Sequence, residues 1–172
     1  MHAIEMVAEL MAASAVTAPK SKGENFVEIK VVTGETLKKL AAEMVRFGER
    51  TGKKDFDRDA KNVAESAAVV LIGIKKATVL GLNCGACGFP DCKQLQKAKR
   101  CEVEFAGPQC AFRLLDLGIA LGSAVKTAGI LNVDNRIMYR AGAVARDMQL
   151  VDWDVVMGIP LSVSGKSIYF DR

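Results

Sequence analysis

Ala67-Ala68-Val69-Val70-Leu71-Ile72-Gly73-Ile74 is the longest unbroken apolar run in the chain, and its reading decides the fold. A strand with one solvated face alternates apolar and polar residues. A run rich in β-branched side chains without that alternation is a strand covered on both faces. Ala68 to Ile74 is therefore predicted as a buried strand in a three-layer α/β/α arrangement. At eight residues the run is far short of the roughly 20 needed to span a bilayer, and no membrane is implied.

Upstream, Ile4, Val7, Ala8, Met11 and Ala15 share one helical face, which predicts a helix from His2 to Val16 ended by Ala18-Pro19. Phe26, Glu28 and Lys30 alternate with Val27, Ile29 and Val31, a strand buried mainly on one face. Leu37, Leu40, Ala41, Met44 and Gly48 mark a second helix, closed by Thr51-Gly52. Asp57 or Asp59 is predicted to cap a short helix through Val63 to Ser66. Downstream, Thr78 to Leu82 reads as a short strand. Leu114 to Ala128 is apolar almost all round, and Asp134 or Asn135 is predicted to cap a helix with Ile137, Ala141, Val144, Ala145 and Met148 buried. Val155 to Ile159 reads as a strand stopped by Pro160, and Ser167 to Phe170 as a last strand or extended tail.

The chain has 172 residues, half of them hydrophobic and 26% charged, which fits one domain over 1–172 with a sizeable core. A net charge of +4, with basic and acidic residues intermixed, is too mild for a nucleic-acid partner. Glu5 and Glu9 interrupt the N-terminal apolar stretch and no basic region precedes it, so it reads as an amphipathic helix in a cytoplasmic protein rather than a signal peptide. Disulfides are rare in that compartment, although some intracellular proteins of hyperthermophiles carry them. Five cysteines, four of them in one short stretch, point instead to metal or redox chemistry.

Cys84, Cys87 and Cys92 lie in Asn83-Cys84-Gly85-Ala86-Cys87-Gly88-Phe89-Pro90-Asp91-Cys92, and Cys110 follows in Gly107-Pro108-Gln109-Cys110. The spacing is C-x2-C-x4-C-x17-C. Thiolates suit both zinc and iron–sulfur clusters. Structural zinc usually takes two C-x2-C pairs. One pair, a third cysteine five residues on and a distant fourth suit the wider [4Fe–4S] cubane. Gly85 and Gly88 let backbone N–H groups turn toward the sulfurs, and Phe89 can shield one face. From Cys84 to Arg113, five basic residues (Lys93, Lys97, Lys99, Arg100, Arg113) outnumber three acidic ones (Asp91, Glu102, Glu104), in keeping with an anionic cluster. A solvated helix face accounts for the lysines equally well.

These motifs resemble the four-cysteine module of corrinoid iron–sulfur proteins and of the cluster-bearing subunit of Rnf-type complexes. Over nearly the whole chain they are similar to the DUF2148 family of prokaryotic ferredoxin-domain proteins. The likeness is carried by 81–89 (GLNCGACGF), Gly107-Pro108-x-Cys110, 116–125 (DLGIALGSAV), 133–138 (VDNRIM) and 160–167 (PLSVSGKS). The resemblance implies a [4Fe–4S] cluster on Cys84, Cys87, Cys92 and Cys110, within a cluster segment 83–112. The family motif does not need Cys101, which reads as a small hydrophobe or a substitute ligand.

Outside the cysteines the element order is similar to that of FMN-dependent nitroreductases, which are entwined homodimers. The resemblance implies a flavin-contacting loop at 18–25, a dimer helix at Asp116 to Ala128 and a late strand Val155 to Pro160. The N-terminal arginine pair that holds the FMN phosphate in those enzymes is absent here, leaving Lys20, Lys22, Lys166 and Arg172 as replacements. His2, the one histidine, stands at the terminus, and no serine stands in a nucleophile elbow. Gly165-Lys166-Ser167 lacks the upstream glycine of a phosphate loop and reads as a turn. Asp55, Asp57 and Asp59 lack the glycine and terminal Glu of a calcium loop.

The expected protein is thus an α+β domain with a nitroreductase-like mixed sheet and an inserted four-cysteine loop. Its expected work is electron transfer through a [4Fe–4S] centre to a redox partner, as a homodimer. An FMN-dependent oxidoreductase and a non-catalytic zinc-binding module are the alternatives.

Overall fold

Every residue of the strand Ala68–Ile74 (β2) is buried in the computed structural model, which describes residues 2–170. Its side chains divide by parity between two cores. Val69 and Leu71 join one, with Leu40, Met44, Phe56, Val63, Ala141 and Val144. Ala68, Val70, Ile72 and Ile74 join the other, with Ile4, Met11, Leu117, Ala124 and Ile159. Both sides must be apolar, which is why the run lacks alternation. Each Val, Leu or Ile withdrawn from water contributes roughly 1.5–3 kcal/mol.

The elements that supply these cores are α1 (His2–Thr17), β1 (Val27–Thr33), α2 (Gly34–Thr51), α3 (Phe56–Ala64), β2, α4 (Cys92–Lys97), β3 (Cys101–Glu102), β4 (Ala106–Gly107), α5 (Ala111–Ile130), β5 (Asp134–Asn135), α6 (Tyr139–Asp147) and β6 (Val155–Ser162). The main sheet has the order β1-β2-β6-β5, and β3 and β4 form a separate hairpin. Helices α2, α3 and α6 cover one face of the main sheet, and α1 and α5 the other. The three-layer α+β expectation is met. The expected mixed sheet is corrected, because every described ladder is antiparallel. The connection from β1 to β2 holds two helices rather than one, which returns the chain to the end of the sheet it left.

Four local expectations also change. Thr78 to Leu82 forms no ladder, because β6 already occupies the open edge of β2. Asp55, not Asp57 or Asp59, stands at the start of α3 with φ 67°, and its side chain makes no capping bond. Asp59 is instead buried, taking hydrogen bonds from Arg58 and Arg140. Asp134 and Asn135 pair with β6 rather than capping α6. Ser167 to Phe170 is a turn that buries Tyr169, whose hydroxyl bonds the Ser66 hydroxyl at 2.7 Å.

Pro160 does not stop β6, which runs on to Ser162. On the register that pairs Met138 with Gly158 and Asn135 with Leu161, Pro160 faces Arg136. The ladder is interrupted at positions 136 and 137, opposite the one residue that has no N–H to give. On its other side Pro160 keeps its place opposite Val69.

Helix α6 lies directly on the backbone of β6. A Cβ on Gly142 would stand 2.0 Å from the Val156 carbonyl oxygen, and one on Gly158 would stand 2.7 Å from the Ala141 Cβ. Among the described residues no helix is long and apolar enough to cross a membrane.

Gly142→Ala should therefore destabilise the protein by about 3 kcal/mol or more, since neither the helix nor the strand can yield. Gly129→Ala, in the open on α5, should gain up to about 1 kcal/mol from helix propensity. Urea denaturation of both variants measures the contrast, and equal stabilities would contradict the packing.

Candidate iron–sulfur site

The cysteine segment leaves β2 and is held at its root by Asp154. The Asp154 carboxylate accepts the Lys76 N–H at 2.7 Å and a hydrogen bond from Arg100, while its backbone bonds Ile74 and Ala106. Beyond this root the segment has a small core of its own. Leu80, Leu95 and Cys110 are buried there, with Val79, Cys87, Phe89 and Phe112 packed against them.

Local chemistry then places each cysteine. Asp91 caps α4 by accepting the Gln94 N–H at 2.8 Å, which sets Cys92 as the first residue of that helix. Cys110 is the residue from which the 20-residue α5 springs, and it is only 9% exposed. Asn83, in the left-handed region at φ 51°, locks onto Cys92 in both directions. Its N–H points to the Cys92 sulfur at 3.4 Å, and its side-chain oxygen accepts the Cys92 N–H at 3.0 Å. Gly85 at φ 74° and Gly88 at φ 85° make the tight turn between Cys84 and Phe89.

Cys84, Cys87, Cys92 and Cys110 all line one pocket, walled by Leu80, Leu82, Phe89, Leu95 and Phe112. Its free space is about 10 Å³, close to the room one water needs, so the lining must spread to admit a larger group. Among the described residues no three Cys, His, Asp or Glu side chains are gathered as ligands of one metal ion. The donor set is chemically right for a cluster: four thiols in an apolar setting, each unpaired in a disulfide. Cys101 lies on the β3–β4 hairpin and lines a different groove, with Phe105, Pro108, Leu114 and Val155. Of the five basic residues of the segment, Lys93, Lys97 and Lys99 are exposed, while Arg100 and Arg113 are engaged by carboxylates.

The cations considered for a flavin phosphate are differently employed. Lys20 turns its ammonium onto the carbonyls of Ala15 at 2.9 Å and Ala18 at 2.7 Å, and onto that of Val16, so that it closes the end of α1. Burial pulls its pKa below the usual lysine range, and Asp116 opposes that shift. Lys22 donates to the Leu80 carbonyl at 2.7 Å, tying the 18–25 loop to the approach of the cysteine segment. Lys166 stands on the exposed bend after β6, and Arg172 lies outside the described residues.

One feature of the site escapes a reading of spacing and composition. Arg113 is 1% exposed and Asp116 4%, on the first turns of α5. Arg113 donates to the carbonyls of Thr78 and Ser21, both at 3.0 Å, to Asp116 at 3.3 Å and to Glu24. Phe26 lies beneath the guanidinium, 4.6 Å from its ring centre. Asp116 in turn accepts the Ser21 N–H and hydroxyl, both at 2.8 Å. The available signal was the helical phase: Arg113 and Asp116 fall in step with the buried Leu117, Ala120 and Ala124.

With this geometry in hand, known proteins give a consistent placement. An FMN-dependent nitroreductase of Clostridium difficile superposes with a TM-score of 0.57 at 16% identity, over 94% of this chain and 76% of its own. One of Mycobacterium smegmatis, in complex with NADPH, gives 0.60 at 12% identity, over 98% and 82%. One of Desulfitobacterium hafniense with bound FMN gives 0.57 at 12%, over 94% and 78%. The fold is thus of the nitroreductase-like α+β class. An uncharacterized protein of Archaeoglobus fulgidus is 54% identical over 169 residues, which is 98% of this chain and 91% of the relative. The family model described as "uncharacterized protein containing a ferredoxin domain (DUF2148)" matches residues 106–172, taking in Cys110 but not the four earlier cysteines. The chain belongs to that family.

Asn83 offers a direct check on the loop. Asn83→Gly keeps the left-handed backbone and loses the side-chain bond, so it should cost about 1 kcal/mol. Asn83→Ala adds left-handed strain and should cost roughly 1–2 kcal/mol more. Urea titration ranks the three proteins, and an alanine variant as stable as the glycine one would contradict the loop geometry.

Proposed function

We propose that this protein is a redox protein holding a [4Fe–4S] cluster on Cys84, Cys87, Cys92 and Cys110, and exchanging single electrons with a partner protein. The observation that carries the reading is the pocket common to those four cysteines, with Cys101 in another. Membership of a ferredoxin-domain family supports it at the level of an iron–sulfur redox role. When bound, the cluster supplies one-electron chemistry. The chain's own part is to present four sulfurs, to direct the Asn83 N–H at Cys92, and to exclude water with Leu82, Phe89 and Phe112. A single zinc ion is less well served, because structural zinc usually takes two C-x2-C pairs and this chain has one.

An FMN-dependent oxidoreductase is the second reading, favoured by the nitroreductase-like frame. Against it, the ammonium groups of Lys20 and Lys22 already serve backbone carbonyls, and fold alone does not transfer chemistry.

Anaerobic reconstitution with iron and sulfide tests the first reading. Wild type and Cys101→Ala should become brown, with broad absorption near ~400 nm and about four irons per chain. Cys84→Ala, Cys87→Ala, Cys92→Ala and Cys110→Ala should lose most of both signals. Bleaching by Cys101→Ala but not by Cys110→Ala would give a different ligand set, and a yellow two-band spectrum that stays with the protein after FMN addition and desalting would favour flavin.

We also infer a homodimer built on α5. Opposite its buried stripe, Leu114, Leu115 and Ile119 are exposed around Gly118 and Gly122, whose faces are open. Leu10 of α1 and Ile130 at the end of α5 are exposed and line one groove. Light scattering should give twice 18.5 kDa for wild type and 18.5 kDa for Ile119→Glu. A wild-type mass of one chain at micromolar concentration would remove the dimer.

A further inference from the structure

We propose that Arg113 is a positioning residue that also sets the charge around the cluster, an inference that rests on the iron–sulfur reading above. It follows Cys110 by three residues, in the first turn of α5, where its backbone N–H donates to the Cys110 carbonyl at 3.0 Å. Through Thr78 the same guanidinium grips the chain on the approach to Cys84. One side chain therefore fastens both flanks of the cysteine segment, before its first thiol and after its last. Through Ser21, Glu24 and Phe26 it adds a third attachment, to the loop that follows α1.

Stability alone is a poor reason for this arrangement. Taking a guanidinium and a carboxylate out of water costs several kcal/mol per ion, and well-packed apolar residues of similar volume often serve as well or better. What an apolar residue cannot supply is a fixed positive charge one helical turn from a residue that would hold an anionic centre. Reduction adds one electron, taken from an external reductant, and makes that centre more negative. A cation held in a low-dielectric surround favours the reduced form and raises the midpoint potential. Asp116 and Glu24 work against Arg113: each neutralises part of its charge, and Asp116 is the more deeply buried. The trio thus forms a charge set whose members push the potential in opposite, separately removable directions.

The test is a spectroelectrochemical titration of the full chain after anaerobic reconstitution with iron and sulfide. Arg113→Met should lower the midpoint and Arg113→Lys should restore part of the difference. Asp116→Asn, which keeps an oxygen for Ser21, should raise it, and Glu24→Gln should raise it less. A purely structural role would change cluster yield without this opposition of sign. Should Arg113→Met fail to fold, the two carboxylate variants decide, since Glu24 lies at the surface. Cluster-loaded Asp116→Asn and Glu24→Gln with the wild-type midpoint would overturn the inference while leaving the iron–sulfur reading intact. Wild-type protein that takes up no iron and sulfide would overturn both.

Discussion

The constraint on which the rest of the structure depends is that β2 has no face for water. Seven residues, all buried, demand apolar cover above and below, and only two helical layers can supply it. The pairing of β2 with β1 on one edge and β6 on the other then leaves its backbone no free partner. From this follow the division of the core by parity along β2, the placing of α1 with α5 on one side, and the α2–α3 pair with α6 on the other. The close approach of α6 to β6 is a consequence of the same demand. Gly142 and Gly158 let the helix settle to backbone contact, so that this layer can be thin and still exclude water.

The cysteine segment is a graft on that frame rather than part of it. β2 and β6 are neighbours in the sheet but 80 residues apart in sequence, and the segment begins where one ends and is tied down where the other begins. Asp154 does the tying: it immediately precedes β6 and binds Ile74 at the end of β2, Lys76 just beyond it, Arg100 within the segment and Ala106 on its hairpin. An element that is long, polar and poor in regular structure is thus fixed at a point the sheet has already made rigid. Its far end is fixed by becoming the first turn of α5, which is committed to the core through Leu117, Ala120 and Ala124. A loop anchored at both flanks can leave Cys84 and Phe89 near solvent without losing its shape.

Much of this was legible in the sequence because it rests on period and spacing. The apolar run at 68–74 and the helical stripes of α1 and α2 appear where they were expected, and the four cysteines singled out by spacing line one pocket. What was not legible depended on competition between elements. Thr78 to Leu82 has the composition of a strand, but no edge remains for it. Asp59 and Asp134 have the chemistry of caps, yet Arg58 and Arg140 claim the first and β6 pairs with the second. Pro160 reads as a stop for the whole strand, but its missing N–H would face the β5 side alone, and the pairing with β2 runs on past it. The antiparallel pairing of β1 with β2 follows from the two helices that join them, both legible in the sequence, whereas the mixed sheet was an expectation carried by the nitroreductase resemblance. Arg113 and Asp116 were visible as charges, but a charge on the buried phase of an apolar helix has no meaning until its partners are known. Those partners come from 21–26 and from Thr78, distant in sequence.

The same network bears on how a nitroreductase-like frame and a four-thiol loop can share one chain. In this protein the loop after α1 is directed inward. Lys20 closes the end of its own helix, Lys22 holds Leu80, and Ser21 and Glu24 engage Asp116 and Arg113. A loop whose polar groups are satisfied by the protein has little left for a phosphate, because every donor turned to a ligand would leave a buried carbonyl or carboxylate without its partner. Apart from those of Lys20, these bonds end on the cysteine segment's approach or on the helix that follows Cys110. The region that could have gripped a nucleotide is instead the third attachment of the cysteine segment, and that is why the function is better read from the thiols than from the fold around them.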